Sequence, residues 1–186
     1  MQEAAAGDGP EQEAQWIRRM AEGDREAFER LFHAYQRRVF GYIWRLLNDT
    51  ALAEELTNDV LVEVWKGAKR FRGQGKPSSW IFGIAHHKVL DQMRRRRPRT
   101  AGIEEMFRMA DPAEGPEAQA LRQDERAALQ AALARLSPEH REVLALTFYQ
   151  GCSVEEIARI ADCPPNTVKT RMFYARKKLR EMLEKP

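Results

Sequence analysis

Residues 153–171 read SVEEIARIADCPPNTVKTR, and this stretch predicts two helices joined by a tight turn. Ser153 and Glu156 have the spacing of a capping box, in which each side chain bonds the other residue's backbone N–H at a helix start. Pro164 and Pro165 suit the first turn of a second helix, because proline has no N–H to donate and its backbone is already close to helical. The stretch therefore predicts a helix–turn–helix.

The second helix of this stretch begins with short hydrogen-bonding side chains followed by cations. Side chains of this kind at a helix N-terminus can bond base edges and phosphates in the major groove of DNA. The alternative is an ordinary helical hairpin in a packed domain, because the same geometry is common outside DNA binding. The residues that predict DNA contact are Asn166, Thr167, Lys169, Thr170 and Arg171.

The composition favours an all-α protein. The chain has 186 residues, is rich in Ala, Leu, Glu, Arg and Lys, and has only 11 Gly and 9 Pro. These residues favour helices, and the length allows one or two domains. Apolar residues recur at helical spacing in two blocks separated by a stretch without that pattern. We predict two small helical domains joined by a flexible linker, the C-terminal one a helix–turn–helix domain.

The breaks in the pattern divide the chain into four segments. Residues 1–12 are small and acidic, with Gly and Pro, and predict a disordered tail. Residues 13–97 form the first helical domain. Residues 98–116 are acidic and interrupted by Gly and Pro, which indicates a flexible linker that lets the domains move. Residues 117–186 form the second domain.

Capping residues divide the first domain into helices. Asp24 is a good N-cap for a long amphipathic helix, Thr50 for the next helix, and Ser78 or Ser79 for the last. The helix after Thr50 has one apolar face and one acidic face. On composition alone, the acidic face is an ordinary solvated surface. Its polar residues include Glu54, Glu55, Asn58 and Asp59.

Basic residues concentrate in two segments, although the net charge is only +3. One run, at 94–97, ends the last helix of the first domain, and the other lies on the C-terminal helix. Two separated basic runs are typical of a nucleic-acid-binding protein, although either run alone is more simply a solvated face. The basic residues of the C-terminal helix include Lys169, Arg171, Arg176, Lys177, Lys178 and Arg180.

The sequence shows no catalytic, metal or cofactor motif. Cys152 and Cys163 are the only cysteines, and without a secretion signal we expect both thiols to be reduced. No histidine has metal-ligand spacing to them, and the neighbours His86 and His87 point in different directions on a helix. There is no Gly-rich phosphate loop and no nucleophile elbow. We expect a soluble, cytoplasmic, non-enzymatic protein with no cofactor and no small-molecule substrate.

Four further motifs occur in a specific order: DREAFERLF at 24–32, EELTNDVLVEVW at 54–65, SWIFGIA at 79–85 and LSPEHREVL at 136–144. With the helix–turn–helix they cover nearly everything but the tail. Through them the chain resembles an extracytoplasmic-function (ECF) sigma factor of the sigma-70 family. In that family the second motif is the helix that grips the polymerase β′ clamp helices. The third belongs to the helix that handles the −10 promoter element, and the fourth to the −35-reading domain.

The resemblance implies a protein that binds bacterial core RNA polymerase and directs promoter-specific initiation at −35 and −10 elements, aiding strand opening. It also implies regulation by an anti-sigma factor, often membrane-bound. The polymerase contacts it implies are the acidic-face residues Glu54, Glu55, Asn58 and Asp59. The residues it implies at the −10 element are Arg72, Gln74, Lys76, Trp80, His87, Lys88, Arg94, Arg95, Arg96 and Arg97.

At the −35 element, the resemblance implies that the helix–turn–helix enters the major groove. Arg176 and Lys177 are expected to touch phosphates. Asp162 stands where the family usually has a turn glycine. Asn166, at the start of the second helix, stands where the family frequently has a glycine, and this difference points to an altered −35 sequence preference. The residues expected near bases are Asn166, Thr167, Lys169, Thr170 and Arg171.

The first domain also departs from the family pattern. Glu55, Asn58 and Asp59 stand where the family often has Asp, Gln and Glu. The side chains expected to contact polymerase therefore keep their acidic or amide character but differ in length. His86 and His87 stand where Arg and Asn are frequent. The departure lies in the helix that handles the −10 element and therefore bears on strand opening.

Two other functions fit parts of the sequence. A stand-alone helix–turn–helix regulator would bind a palindromic operator without polymerase. A thiol- or metal-sensing regulator would use Cys152, Cys163 and the histidines, although the helical positions of these two cysteines do not establish that a bridge can form between them. The charge layout and the −10-type helix favour the sigma factor over both.

Overall fold

The computed structural model describes residues 9–73, 75–95 and 128–184, and every regular element in these ranges is helical. This confirms the all-α, two-domain prediction. Most of the predicted tail, the whole linker 98–116 and the predicted domain start at 117 lie outside the described residues. The elements are α1 (Pro10–Ala21), α2 (Arg25–Leu47), α3 (Thr50–Gly67), a 3₁₀ turn (Ala68–Arg70), α4 (Pro77–Arg95), the helical residues 128–134, α5 (Pro138–Phe148), α6 (Val154–Ile160) and α7 (Pro165–Leu183).

Helix α1 begins at Pro10, within the segment predicted to be a disordered tail. Gly9 has an extended backbone and precedes the proline, which occupies the first helical position. Glu11 and Glu13 lie in the first turn, where negative charge is favourable next to the helix N-terminus. The predicted tail boundary at residue 12 is therefore too late.

Two predicted helix caps are wrong, and in each case a neighbour starts the helix. The Asp49 carboxylate accepts a hydrogen bond from Leu52 N at 2.9 Å, so Asp49 caps α3 and Thr50 is its first residue. Helix α4 begins at Pro77, which places Ser78 and Ser79 inside the helix. A carboxylate accepts N–H bonds strongly, and proline suits a first helical position, which explains both shifts by one or two residues.

The first domain is organised around α2, against which α1, α3 and α4 all pack. Leu31, Tyr35, Val39 and Ile43 follow one another at intervals of four, and each is fully buried. This spacing places them on one face of the helix. Their burial fixes the positions of α3 and α4, which carry the residues implied in polymerase and −10 contact.

The second domain has a smaller core, built where α5, α6 and α7 meet. Leu146, Ile157, Ile160, Val168 and Ala175 are at most 1% exposed. They occur on all three helices, so each helix needs the other two to cover its apolar face. In the part of the chain that the structure describes, no helix is both long enough and apolar enough to cross a bilayer.

The two domains are packed against each other. Helix α5 contacts α2, and α6 contacts α4. The contact includes polar pairs such as Tyr42 with Glu142 and Lys76 with Glu156. The flexible linker predicted from the sequence would let the domains move relative to each other, and no sequence pattern predicts this interface.

The capping assignment predicts different outcomes for two neighbouring substitutions. Asp49→Ala should lower the free energy of unfolding by about 0.5–2 kcal/mol, because the Leu52 N–H loses its acceptor. Thr50→Ala should stay within about 0.5 kcal/mol of the wild type, because Thr50 is exposed and caps nothing. Urea unfolding followed by circular dichroism measures both. A larger loss from Thr50→Ala than from Asp49→Ala would contradict the assignment.

Candidate nucleic-acid and polymerase interfaces

The helix–turn–helix forms as the sequence predicts. Ser153 Oγ accepts a hydrogen bond from Glu156 N at 3.2 Å, and a Glu156 carboxylate oxygen accepts one from Ser153 N at 2.8 Å, so the capping box is complete. In the turn, Asp162 has a φ of 45°, the left-handed conformation expected for a residue that ends a helix. Cys163 N then donates to Ala158 O at 3.0 Å, which closes the turn.

The N-terminal half of α7 presents most of its predicted base-reading residues to solvent. Asn166, Lys169 and Thr170 are exposed, while Thr167 and Arg171 are half-buried. Val168, which lies between them in the sequence, is fully buried and anchors the helix to the domain. The arrangement presents a polar edge on a fixed helix, which is the geometry that major-groove reading needs.

Two predicted base-reading side chains already have intramolecular contacts. Thr170 Oγ1 donates to Asn166 O at 2.9 Å, a bond back to its own helix. Arg171 Nη1 lies 3.8 Å from Cys163 Sγ. These contacts hold the side chains near the helix start and leave Arg171 with further donors for an acceptor outside the protein.

The predicted phosphate-binding residues lie further along α7. Arg176 and Lys177 are both exposed. The Arg176 guanidinium lies 5.5 Å from the Phe148 ring centroid, which restrains it beside an exposed aromatic side chain. Exposed cations one to two turns from the base-reading residues can contact a DNA backbone while the helix start lies in the groove.

The residues implied at the −10 element lie along α4 and the loop before it. Arg72, His87, Arg94 and Arg95 are exposed. Lys88 is half-buried, and its Nζ lies 4.0 Å from Asp59 Oδ2 on α3. Gln74, Arg96 and Arg97 lie outside the described residues.

Two members of the −10 set are already engaged within the protein. Trp80 is half-buried, with its ring centroid 5.1 Å from that of Phe71. A Cβ added at Gly67 would lie 3.2 Å from the Trp80 ring, so the indole packs closely over that glycine. Lys76 Nζ lies 2.8 Å from the Glu156 carboxylate in the second domain. Packing within the first domain accounts for the position of the Trp80 side chain. An ion pair between the domains accounts for the position of the Lys76 side chain.

The acidic face of α3 is fully presented to solvent. Glu54, Glu55, Asn58 and Asp59 are all exposed. Glu54 and Glu55 have no ion-pair or hydrogen-bond partner among the described residues. Behind them, Leu56 and Val60 are buried, which fixes the face on a packed helix. The result is a rigid surface on which Asp59 pairs with Lys88 while Glu54 and Glu55 keep its net charge negative, and such a surface suits a basic partner.

Cys152 and Cys163 are both free thiols in the described part of the chain. No group of three or more His, Cys, Asp or Glu residues there is placed to hold a metal ion. Cys152 is buried, and burial raises the pKa of its thiol to about 11. A thiol with such a pKa is almost entirely protonated near neutral pH, and the protonated form is a poor nucleophile. His86 is also buried and lies against Glu142.

Comparison with known proteins agrees with the two-domain organisation. Residues 31–99 match Sigma-70 region 2, and residues 126–179 match Sigma-70 region 4. The ECF RNA polymerase sigma factor SigK of Mycobacterium tuberculosis is 31% identical over 174 residues, which cover 90% of this chain and 91% of that protein. The chain belongs to the ECF sigma factor family. As a sigma factor, it binds core RNA polymerase and directs transcription initiation at promoters.

Further relatives agree with this assignment. The RNA polymerase sigma-H factor of Pseudomonas aeruginosa is 29% identical to this chain over 183 residues, which cover 94% of this chain and 95% of that protein. Among solved structures, CnrH in complex with the cytosolic domain of CnrY superposes with a TM-score of 0.70 at 21% identity, covering 93% of this chain and 97% of that chain. RpoE of Bartonella quintana, in complex with the anti-sigma factor NepR, has a TM-score of 0.68 at 24% identity and covers 85% of this chain and 97% of that chain. The structural likeness shows a shared fold.

The thiol environments predict two different reactivities in the folded sigma factor. At neutral pH the Cys152 thiolate fraction should be about 100-fold lower than that of a thiol with a pKa of 9.0, because burial holds the pKa near 11. Cys163 is only half-buried and should react faster. Timed alkylation with mass-spectrometric mapping measures both rates, and Cys152→Ser is the control that isolates the Cys163 reaction. Equal rates at the two thiols would contradict the prediction.

Proposed function

We propose that three surfaces of this sigma factor divide its work among polymerase, the −10 element and the −35 element. The observation that carries the proposal is the exposed acidic face of α3, on which Glu54 and Glu55 have no partner among the described residues, set beside the basic helix α4 in the same domain. The exposed start of α7 lies in the other domain. Three surfaces of suitable charge on three separate helices allow simultaneous binding of protein and DNA.

The acidic face would bind a basic surface of core polymerase through Glu54, Glu55, Asn58 and Asp59. Complementary charge speeds association and selects the partner. The four side chains project from one packed helix, so little conformational entropy is lost when a partner binds.

The −10 surface would bind the displaced single strand. Arg72, His87, Lys88, Arg94 and Arg95 supply cations and donors along α4 and its loop. Unstacking a base costs a few kcal/mol, which phosphate contacts and a loop pocket can offset. The proposal includes a base contact by Gln74, a −10 contact by Lys76 and Trp80, and phosphate contacts by Arg96 and Arg97.

The −35 surface would place the start of α7 in the major groove. Lys169 and Arg171 are suited to guanine, and Asn166 to adenine, by the geometry of their donors and acceptors. Thr167 and Thr170 would contribute hydroxyl contacts, with the Thr170 proton already used inside the helix. Arg176 and Lys177 would hold phosphates and so position the helix without reading sequence.

The proposal extends to regulation, catalysis and location. We propose an anti-sigma factor as a partner, in line with the anti-sigma-bound RpoE structure that shares the fold. We propose that the sigma factor has no catalytic activity of its own and acts where bacterial polymerase and DNA are, in the cytoplasm. The enzymatic step of transcription belongs to the polymerase.

Reconstituted transcription tests the polymerase surface. Purified sigma factor and core polymerase on a promoter library should give promoter-specific transcripts. Glu55→Lys/Asp59→Lys should reduce them by at least about 10-fold, since reversed charges repel a basic partner. The matched control is Glu22→Lys/Glu29→Lys, the same charge change at exposed residues just after α1 and on α2, which should retain transcription.

Two outcomes would contradict this assignment. Equal loss in both double variants would mean that net charge, and not the α3 face, matters. Specific duplex binding by the protein alone, with no binding to core polymerase, would instead indicate a stand-alone regulator.

Base and phosphate contacts on α7 should be separable by substitution. Lys169→Ala should cost about 1–3 kcal/mol at one promoter position and relax sequence preference there. Lys177→Ala should weaken binding uniformly across sequences and reduce the salt slope by about 1. Binding of the holoenzyme to a randomised −35 library at several salt concentrations measures both effects. A sequence-specific effect of Lys177→Ala would reverse the assignment.

A further inference from the structure

A buried carboxylate lies between the two domains. Glu142 on α5 is 5% exposed, and its Oε1 atom accepts a hydrogen bond from Tyr42 Oη at 2.6 Å. His86 Nδ1 lies 2.6 Å from the same oxygen. The two atoms are within hydrogen-bond distance, and a carboxylate oxygen accepts such a bond from a ring N–H at Nδ1. Both partners belong to the first domain, on α2 and α4, whereas the carboxylate belongs to the second.

We call Tyr42, His86 and Glu142 the Glu142 latch. Tyr42 is 1% exposed and His86 is 5% exposed, so all three members of the latch are buried in the arrangement in which the domains meet. Burial, followed by the nearby Glu142 charge, raises the pKa of Tyr42 well above its usual value, so the phenol stays protonated and remains a donor. A buried charge is costly unless it is hydrogen-bonded, and here both bonds come from the other domain.

Further contacts between the domains surround the latch. Arg38 Nε donates to Gln150 Oε1 at 3.1 Å, and the Arg45 guanidinium lies 3.7 Å from the Tyr149 ring centroid. These contacts join α2 to the C-terminal end of α5 and the turn after it. The directional geometry of these contacts restricts the orientation in which the domains can meet.

The closed arrangement also occupies groups that the proposed DNA-binding surfaces use. Lys76, from the loop before α4, pairs with Glu156 at 2.8 Å. Glu156 also closes the capping box of α6. Burial would raise the pKa of Glu156, but hydrogen bonds from Lys76 and from Ser153 N outweigh it and hold the pKa below its usual value. A strand that needs Lys76 must therefore displace a carboxylate of the second domain.

We propose that the Glu142 latch holds the free sigma factor in a closed state, in which contact between the domains competes with DNA binding at the −10 surface. The competition rests on the −10 surface proposed above, while the closure rests on the domain interface alone. When the domains separate, Glu142 returns to water and needs neither partner. His86 stands where the family frequently has arginine, so this form of latch depends on a feature of this chain.

The first experiment measures closure without DNA or polymerase. Small-angle scattering of the full chain should give a radius of gyration closer to the roughly 16 Å of one compact body of this length for the wild type than for the latch variants. Tyr42→Phe/His86→Ala and, from the other domain, Glu142→Ala should both expand the protein. Circular dichroism must show unchanged helix content in each variant.

The matched control is Tyr35→Phe. Tyr35 is also fully buried on α2, and its hydroxyl donates to a Glu13 carboxylate oxygen at 2.6 Å, but this bond lies within the first domain. The substitution removes the same hydroxyl from the same kind of bond. It should lower stability and leave the radius of gyration unchanged.

The second experiment measures the release of the −10 surface, using a fluorescent single-stranded DNA 12-mer of random sequence as the probe. The latch variants should bind it about 5-fold or more tightly than the wild type, because affinity is reduced by the fraction of molecules that is closed. A substitution that only damaged the fold would lower affinity. Tyr35→Phe should bind as the wild type does.

Two results would overturn the latch: folded variants with the wild-type radius of gyration, or expanded variants with no gain in DNA affinity. The first removes the closure and the second removes its competition with DNA. Reconstituted transcription distinguishes failure of the latch proposal from failure of the proposed function. Loss of promoter-specific transcription in the wild type would overturn the three-surface proposal, whereas the scattering result would still decide whether the domains close.

Discussion

The burial of one face of α2 is the constraint on which the rest of the structure depends. Leu31, Tyr35, Val39 and Ile43 are removed from water by α1, α3 and α4, while α5 of the second domain packs on the same helix. At about 25 cal/mol per Å² of apolar surface, this burial is the main favourable term holding these helices together. The surfaces proposed to bind polymerase and the −10 element lie on the outer sides of α3 and α4, which pack on α2.

Local signals made much of the fold predictable from sequence. The capping box at Ser153 and Glu156 and the proline start of α7 each depend on residues within a few positions, and both form as predicted. The errors are also local: Asp49 caps α3 in place of Thr50, and α1 begins at Pro10. Neighbouring residues with similar capping ability compete, and sequence spacing alone does not decide between them.

The domain interface was not predictable in this way. Tyr42 and Glu142 are 100 residues apart, and His86 and Glu142 are 56 apart, so no periodicity links them. The acidic face of α3 shows a different limit, because composition favours a solvated face and only the family resemblance suggested a partner. Exposure of its four residues agrees with either reading. Sequence likewise gave no sign that Lys76 is paired with Glu156.

The pair between Asp59 and Lys88 joins the proposed polymerase surface to the proposed −10 surface, with Nζ and Oδ2 4.0 Å apart. Ion pairs that are open to solvent are weak. Even so, Asp59 reduces the positive charge of Lys88 that DNA would meet, and Lys88 reduces the negative charge of Asp59 that polymerase would meet. A basic protein that engages Asp59 leaves Lys88 with a more available positive charge for phosphate. By thermodynamic reciprocity, DNA that engages Lys88 leaves Asp59 more available to polymerase. The two proposed surfaces would therefore be linked by a small positive cooperativity.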